Sequence, residues 1–174
     1  MLSQTVQDAI NDQIGKEVYS AYLYLSMSGY FESINLPGFA RWMRIQYQEE
    51  LQHALKFFDF INDREGRVAL KAIPAPPADF QSPLDAFQQA LEHERAVTGM
   101  INQLYGVALR ENDYPAQVLL QWFISEQVEE EKNASNIVEQ LKMIGNNGSA
   151  LLILDRELGA RPVKADQETP GGTA

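Results

Sequence analysis

The chain of 174 residues contains no cysteine and only two histidines. Without cysteine there can be no disulfide, thiol nucleophile, thiolate metal site or cysteine-ligated iron–sulfur cluster. Two histidines are too few for a His-rich zinc site. Basic residues are also scarce: 14 Lys and Arg stand against 24 Asp and Glu, a formal net charge of −10 at pH 7. That balance argues against nucleic acid and anionic membrane as partners, because both attract basic patches. It suits a protein that handles cations. Long hydrophobic runs are missing as well. The strongest, Ala150–Leu154, falls far short of the ~20 residues that span a bilayer. Met1–Asn11 mixes polar and apolar residues, unlike a signal peptide. The expectation is a soluble, cytoplasmic protein with no membrane and no nucleic-acid partner.

The length corresponds to one ordinary domain, large enough to bury roughly 70% of its unfolded surface. Proline and glycine divide it into segments. Residues 5–33 form a first run, and a short break at Ile34–Gly38 leads to a second over 38–65. Residues 66–82 hold Pro74, Pro76 and Pro77 and read as a connector. Ser82-Pro83, with Asp85 in the first turn, opens a third helix that continues to about Glu111. Asn112–Pro115 turns into a fourth, which ends at Gly145. Ser149 is placed to cap a short fifth helix ending at Leu158-Gly159. Residues 161–174 have the composition of a flexible tail, so the domain is expected to span 1–160. No strand pattern of useful length is present.

The predicted fold is therefore all-α. Each long helix is roughly 43 Å at 1.5 Å per residue. Short turns make the first two antiparallel, and likewise the last two. The connector can stretch to roughly 55 Å, enough to run the length of the bundle. Two hairpins joined by one long crossover follow, with a short C-terminal fifth helix.

The apolar stripes carry the chemical signal. At steps of three and four the first helix shows Ile10, Ile14, Glu17, Ala21, Tyr24 and Phe31. The second shows Phe39, Met43, Gln46, Glu50, His53, Phe57 and Ile61. The third shows Leu84, Phe87, Leu91, Glu94, Thr98, Ile101 and Tyr105. The fourth shows Phe123, Gln127, Glu130, Ala134, Ile137, Leu141 and Ile144. Each stripe is apolar at both ends and acidic near its middle. In antiparallel hairpins of equal length the middles share one level, so Glu17, Glu50, His53, Glu94, Gln127 and Glu130 should meet in one core layer. Four carboxylates in an apolar interior must take up protons or bind cations. Oxygen ligands with one imidazole suit a metal of the Fe²⁺ or Mn²⁺ type, with Zn²⁺ a competitor. Glu50-x-x-His53 puts both side chains within reach of one ion. Ferritin-like di-iron bundles pair a Glu from each of two helices with Glu-x-x-His from the other two. The fourth helix departs from that pattern, offering Gln127-x-x-Glu130 instead.

Taken in order, four motifs resemble the non-haem ferritins of bacteria and archaea. They are Glu17-Val18-Tyr19-Ser20-Ala21-Tyr22-Leu23-Tyr24, Glu49-Glu50-Leu51-Gln52-His53-Ala54, Glu92-His93-Glu94 and Glu126-Gln127-Val128-Glu129-Glu130-Glu131. The resemblance implies an iron-storage ferroxidase: Fe²⁺ is oxidised by O₂ at a di-iron centre inside each ferritin-like four-helix bundle. Ferric mineral is then stored in a hollow homo-oligomeric shell of twenty-four subunits. It implies a first iron held by Glu17, Glu50 and His53, with Glu50 bridging to a second held by Glu94 and Glu130. Gln127 would hydrogen-bond beside the centre, and Tyr24 would donate a hydrogen bond or an electron. Glu49, Glu126 and Glu129 match the ligands of a third iron site, with Glu130 shared. Leu51 stands where haem-binding bacterioferritins carry Met, which implies no haem. Gln117 and Leu120 stand where animal ferritins line the threefold channel with acids, which leaves iron's route in open.

Outside the layer, Trp122 reads as core and His93, offset by about 100° from Glu94, as a surface or interface residue. Ala150–Leu154 is apolar nearly all round, so a short helix there implies a partner surface. The resemblance implies packing at a fourfold axis. Val18, Tyr22 and Leu25 form a second apolar row, consistent with a dimer face. Two other classes compete: a di-iron oxygenase or peroxidase acting on an organic substrate, and a helical interaction protein with a structural metal or none. The first would need an extra pocket, and the second would oxidise no iron.

Overall fold

The computed structural model describes residues 2–163. Five helices occupy them: α1 (Gln4–Ser33), α2 (Pro37–Asp63), α3 (Pro83–Arg110), α4 (Tyr114–Ile144) and α5 (Gly148–Gly159). No strand occurs among the described residues. The helix starts follow from the sequence. Ser3 Oγ accepts from the Val6 amide at 3.3 Å, Ser82 Oγ from Asp85 at 3.1 Å and Asp113 Oδ1 from Ala116 at 3.0 Å.

One cap differs from expectation. Asn147, not Ser149, begins α5, its Oδ1 accepting from the Ala150 amide at 3.1 Å. Gly145 at φ +53° reverses the chain early, so Asn147 already has the extended backbone a cap needs and Ser149 falls in the first turn. A second difference concerns α2, whose N-cap Leu36 has no side-chain acceptor. The acceptor comes instead from α5: Asp155 Oδ1 takes the amides of Gly38 at 2.8 Å and Phe39 at 3.0 Å. A Cβ at Gly38 would fall on the Asp155 carbonyl, so glycine permits this close approach.

The crossover runs along α1 from one end of the bundle to the other. The Arg67 amide donates to Gln7 Oε1 at 2.9 Å, and the Asn11 side chain bonds Arg67 O and the Ala69 amide. Further on, Ser26 Oγ donates to Pro77 O at 2.6 Å and Phe80 packs on Tyr30. The connector thus runs the length of the bundle, as its reach allows.

Two apolar clusters fill the bundle. One gathers Tyr24, Met27, Phe31, Phe39, Met43 and Phe87. The other gathers Ile10, Ile14, Phe57, Ile61, Ile101 and Phe123, with the Phe57 and Phe123 rings stacked 4.0 Å apart. On every long helix the buried glutamate lies between the two. The stripes of α1 and α2 are buried throughout, as expected. On α3 the stripe drifts: Val97, Leu104 and Ala108 are buried while Leu84, Thr98 and Tyr105 are half-covered. Ile144, at the end of α4, is half-covered too. No helix among the described residues is long and apolar enough to cross a membrane.

Candidate metal centre

α1 supplies Glu17, α2 supplies Glu50 and His53, α3 supplies Glu94, and α4 supplies Gln127 and Glu130. None of the four glutamates or the histidine is more than 4% exposed. Glu17, Glu50 and His53 each offer a ligand atom within 4.8 Å of the others'. His53 Nδ1 lies 3.2 Å from Glu50 Oε2, which the i, i+3 spacing on one helix makes possible. Three ligands in that arrangement can hold one metal ion.

The remaining acids are fixed by neutral donors. Gln13, one turn before Glu17, donates to Glu17 Oε1 at 2.8 Å. Tyr24 OH donates to Glu94 Oε1. Gln127 Nε2 reaches Glu94 Oε2 at 3.2 Å, and Gln46 Nε2 reaches Glu130 Oε2 at 2.8 Å. Amides and a phenol orient carboxylates without neutralising them. Consequently burial, with the other acids adding to it, pushes Glu17 up to about 8 and Glu130 up to about 7. Burial and the charges of Glu94 and Glu130 hold Glu50 well above the carboxylate range, and burial also raises Glu94. Tyr24 is pushed well above its ordinary value by burial and by Glu94, so at neutral pH it remains a donor.

The fit to a metal rests on two atoms. Glu130 Oε1 and Glu49 Oε1 are buried and have no hydrogen-bond partner. A buried carboxylate oxygen without a partner is costly. A hard cation bound by oxygen ligands would satisfy both atoms and offset the mutual repulsion of the layer.

Of the acids expected at a third position, Glu49 is half-buried beside Glu50, while on α4 Glu126 is half-buried and Glu129 is exposed. Sequence reasoning placed Gln46 and Thr98 on the inward stripes without a role at the centre, and did not single out Gln13 or Arg161. Gln13 and Thr98 lie four residues from Glu17 and Glu94, a spacing that could have pointed to them. Thr98 Oγ1 joins Glu94 O, Gln127 and Glu131. Arg161 donates to Glu49 Oε2 at 2.7 Å across a gap of 112 residues, and no local pattern signals that contact. Arg161 opens the segment expected to be a flexible tail; residues 164–174 of that segment lie outside the described residues.

His93, expected at a surface or interface, is half-covered by α1: its Nε2 is 2.7 Å from Ser20 Oγ and its ring lies 5.8 Å from Tyr19. α1 and α3 pack closely enough to cover positions that flank the core stripe. Burial lowers its pKa to about 4. Trp122 packs its ring against His53 at 5.5 Å and Phe123 at 4.9 Å, supporting the histidine from the apolar side.

A four-helix bundle with an acidic layer dividing its core, and a long crossover between its hairpins, has the architecture of the ferritin-like bundles. Residues 7–144 match the family profile described as "Ferritin-like domain". The chain belongs to this family. It is 42% identical over 161 residues to the bacterial non-heme ferritin of Bacteroides fragilis, covering 92% of this chain and all of that protein. It is 37% identical to the probable bacterial non-heme ferritin-like protein of Haemophilus influenzae, over 95% of this chain and all of that one. Among solved structures, the open pore ferritin of Archaeoglobus fulgidus superimposes with a TM-score of 0.92 at 51% identity, covering 93% of this chain and 100% of that one. Its relatives are thus the non-haem ferritins of bacteria and archaea.

Proposed function

We propose that the chain is a ferroxidase and iron-storage subunit: it binds two Fe²⁺ in the acidic layer, delivers their electrons to O₂, and passes ferric iron to a mineral inside a homo-oligomeric shell, of twenty-four copies by analogy with the family. The observation that carries this reading is the layer itself, four buried glutamates and one histidine brought together in the core. Glu17, Glu50 and His53 would hold one iron, and Glu50 would bridge to a second held by Glu94 and Glu130. Iron here is substrate. Its d-electrons supply the redox chemistry, and the protein supplies placement and charge. Two adjacent ions can give one electron each to one O₂, which avoids one-electron reduction to superoxide.

The chain's own residues do the rest. Glu17 and Glu130, raised towards neutral pH, release protons as cations enter. Gln13 and Gln46 each leave their carboxylate an oxygen for metal while fixing its direction, and Gln127 and Tyr24 hold one oxygen of Glu94 each. Tyr24 donates to Glu94 and lies close enough to supply an electron or a hydrogen bond. The apolar clusters above and below exclude water. Glu49, Glu126 and Glu129, with Glu130 shared, would form a third position that receives iron leaving the pair. Leu51 offers no thioether for haem, and no haem is assigned.

Aerobic loading with many Fe²⁺ per chain, followed by size-exclusion chromatography read for iron and protein together, tests the whole reading. Iron far beyond three ions per chain should elute with a very large assembly. Iron that stops at two or three per chain on a small species would remove storage and leave a di-iron oxidase. Glu50→Ala should abolish fast Fe²⁺ oxidation followed by absorbance, and wild-type rates in that variant would sink the assignment.

A further inference from the structure

The buried oxygens without partners are, among the described residues, Glu49 Oε1 and Glu130 Oε1. Their carboxylates share one feature. The second oxygen of each is held, directly or through one amide, by the same guanidinium. Arg161 donates one nitrogen to Glu49 Oε2 at 2.7 Å and another to Gln46 Oε1 at 2.5 Å. Gln46 then donates its own nitrogen to Glu130 Oε2 at 2.8 Å. The guanidinium also lies 4.9 Å over the Trp42 ring, and both charged partners are mostly covered, at 16% and 11% side-chain exposure. This is a built contact, unlike an exposed ion pair that contributes little.

We infer that Arg161, the residue just beyond α5, is a positioning residue for the metal position shared by Glu49 and Glu130. Its two-pronged donor fixes one oxygen of each carboxylate and leaves the other free for a cation. The inference rests on the reading above that these two acids ligate metal. Planarity matters. A guanidinium can bond Glu49 and the Gln46 carbonyl at once, and bonding that carbonyl turns the Gln46 amide nitrogen towards Glu130. A lysine ammonium has three donors, but on a flexible stem they lack the rigid planar spacing with which the guanidinium fixes Glu49 and Gln46 relative to each other. The charges are also close, since the Glu49 carboxylate is among the groups that raise Glu130. The device joins the segment after α5 to α2 and α4, so the end of the fold is coupled to the acid pair.

The test titrates the assembled, metal-free protein with Tb³⁺, a hard oxygen-seeking cation, reading luminescence sensitised by tryptophan. Wild type, Glu49→Gln, Arg161→Ala and Arg161→Lys are compared. Thermal melting and shell size are recorded alongside, because a merely structural role would move those and the affinity together. Glu49→Gln and Arg161→Ala are each expected to weaken the same class of sites by about tenfold, the loss of one charge-assisted contact. Arg161→Lys should melt like wild type yet fail to restore affinity. If Glu49→Gln weakens binding but Arg161→Ala binds equally or more tightly, the positioning role is overturned. If Arg161→Ala does not assemble, Arg161→Lys decides, and full wild-type affinity there also overturns it. If Glu49→Gln changes nothing, Glu49 is no ligand, and both the shared position and the role of Arg161 fail.

Discussion

A glutamate that costs stability in one state can supply function in another. Glu17 and Glu130 are held near 8 and 7, burial being the larger cause, whereas in an unfolded chain both would ionise near 4.5. Between those values the folded state binds more protons than the unfolded state. The contribution of these two acids to the stability of the metal-free protein is therefore greatest at acid pH, below the unfolded value, and is lost as pH rises from about 5 to about 8; His93, lowered to about 4, acts in the opposite sense, but only below its ordinary value of 6.5. Cations compete with those protons. Thermal melting of metal-free protein above pH 6.5, where His93 is neutral in both states, should show the decline, and saturating Zn²⁺ should flatten it. A melting point that rises over that range without metal would mean that the acids are solvated. At the same scale Tyr24, kept protonated by burial, acts as a fixed donor to Glu94.

Among the elements, α5 does more than cover an end. Its Asp155 accepts both free amides at the start of α2, where Leu36 offers nothing. Because α2 carries Glu50 and His53, the seating of α5 bears on the register of the centre. Asp155→Ala should cost about 1 kcal/mol, typical of a lost N-cap, and lower the melting temperature by about 2–4 °C. Gly38→Ala should do more, since its methyl group would displace the Asp155 carbonyl. Calorimetry on both variants measures this, and an unchanged melting point for Gly38→Ala would contradict the close contact.

At the scale of the molecule, one face of α5 is satisfied by Leu154 and Leu158, but Leu152 and Ile153 remain 52% and 65% exposed. Tyr22 and Leu25 on α1 and Leu70 in the crossover are exposed as well. Such surfaces on a single protomer fit contacts between copies. Replacing Leu152 and Ile153 together by Glu should yield a smaller species by light scattering while each bundle still oxidises Fe²⁺. A full-sized shell in that variant would show that this face is not needed for assembly.

The sequence by itself determined the helix count, the crossover and the level of the acidic layer. These are local or periodic properties: capping residues, proline positions, and stripes whose middles turn acidic at matching depth. It also placed Glu17, Glu50, His53, Glu94 and Glu130 on inward faces, because a helix periodicity sustained over seven or eight turns fixes direction. What it left undecided depends on which remote surfaces touch. The drift of the α3 stripe, the covering of His93 by α1 and the capping of α2 by Asp155 each arise only when two helices pack. The contact of Arg161 with Glu49 belongs with them, since it joins residues far apart in the chain and follows no period. Tertiary packing alone brought that guanidinium to the acid pair, and a one-dimensional pattern holds no record of it.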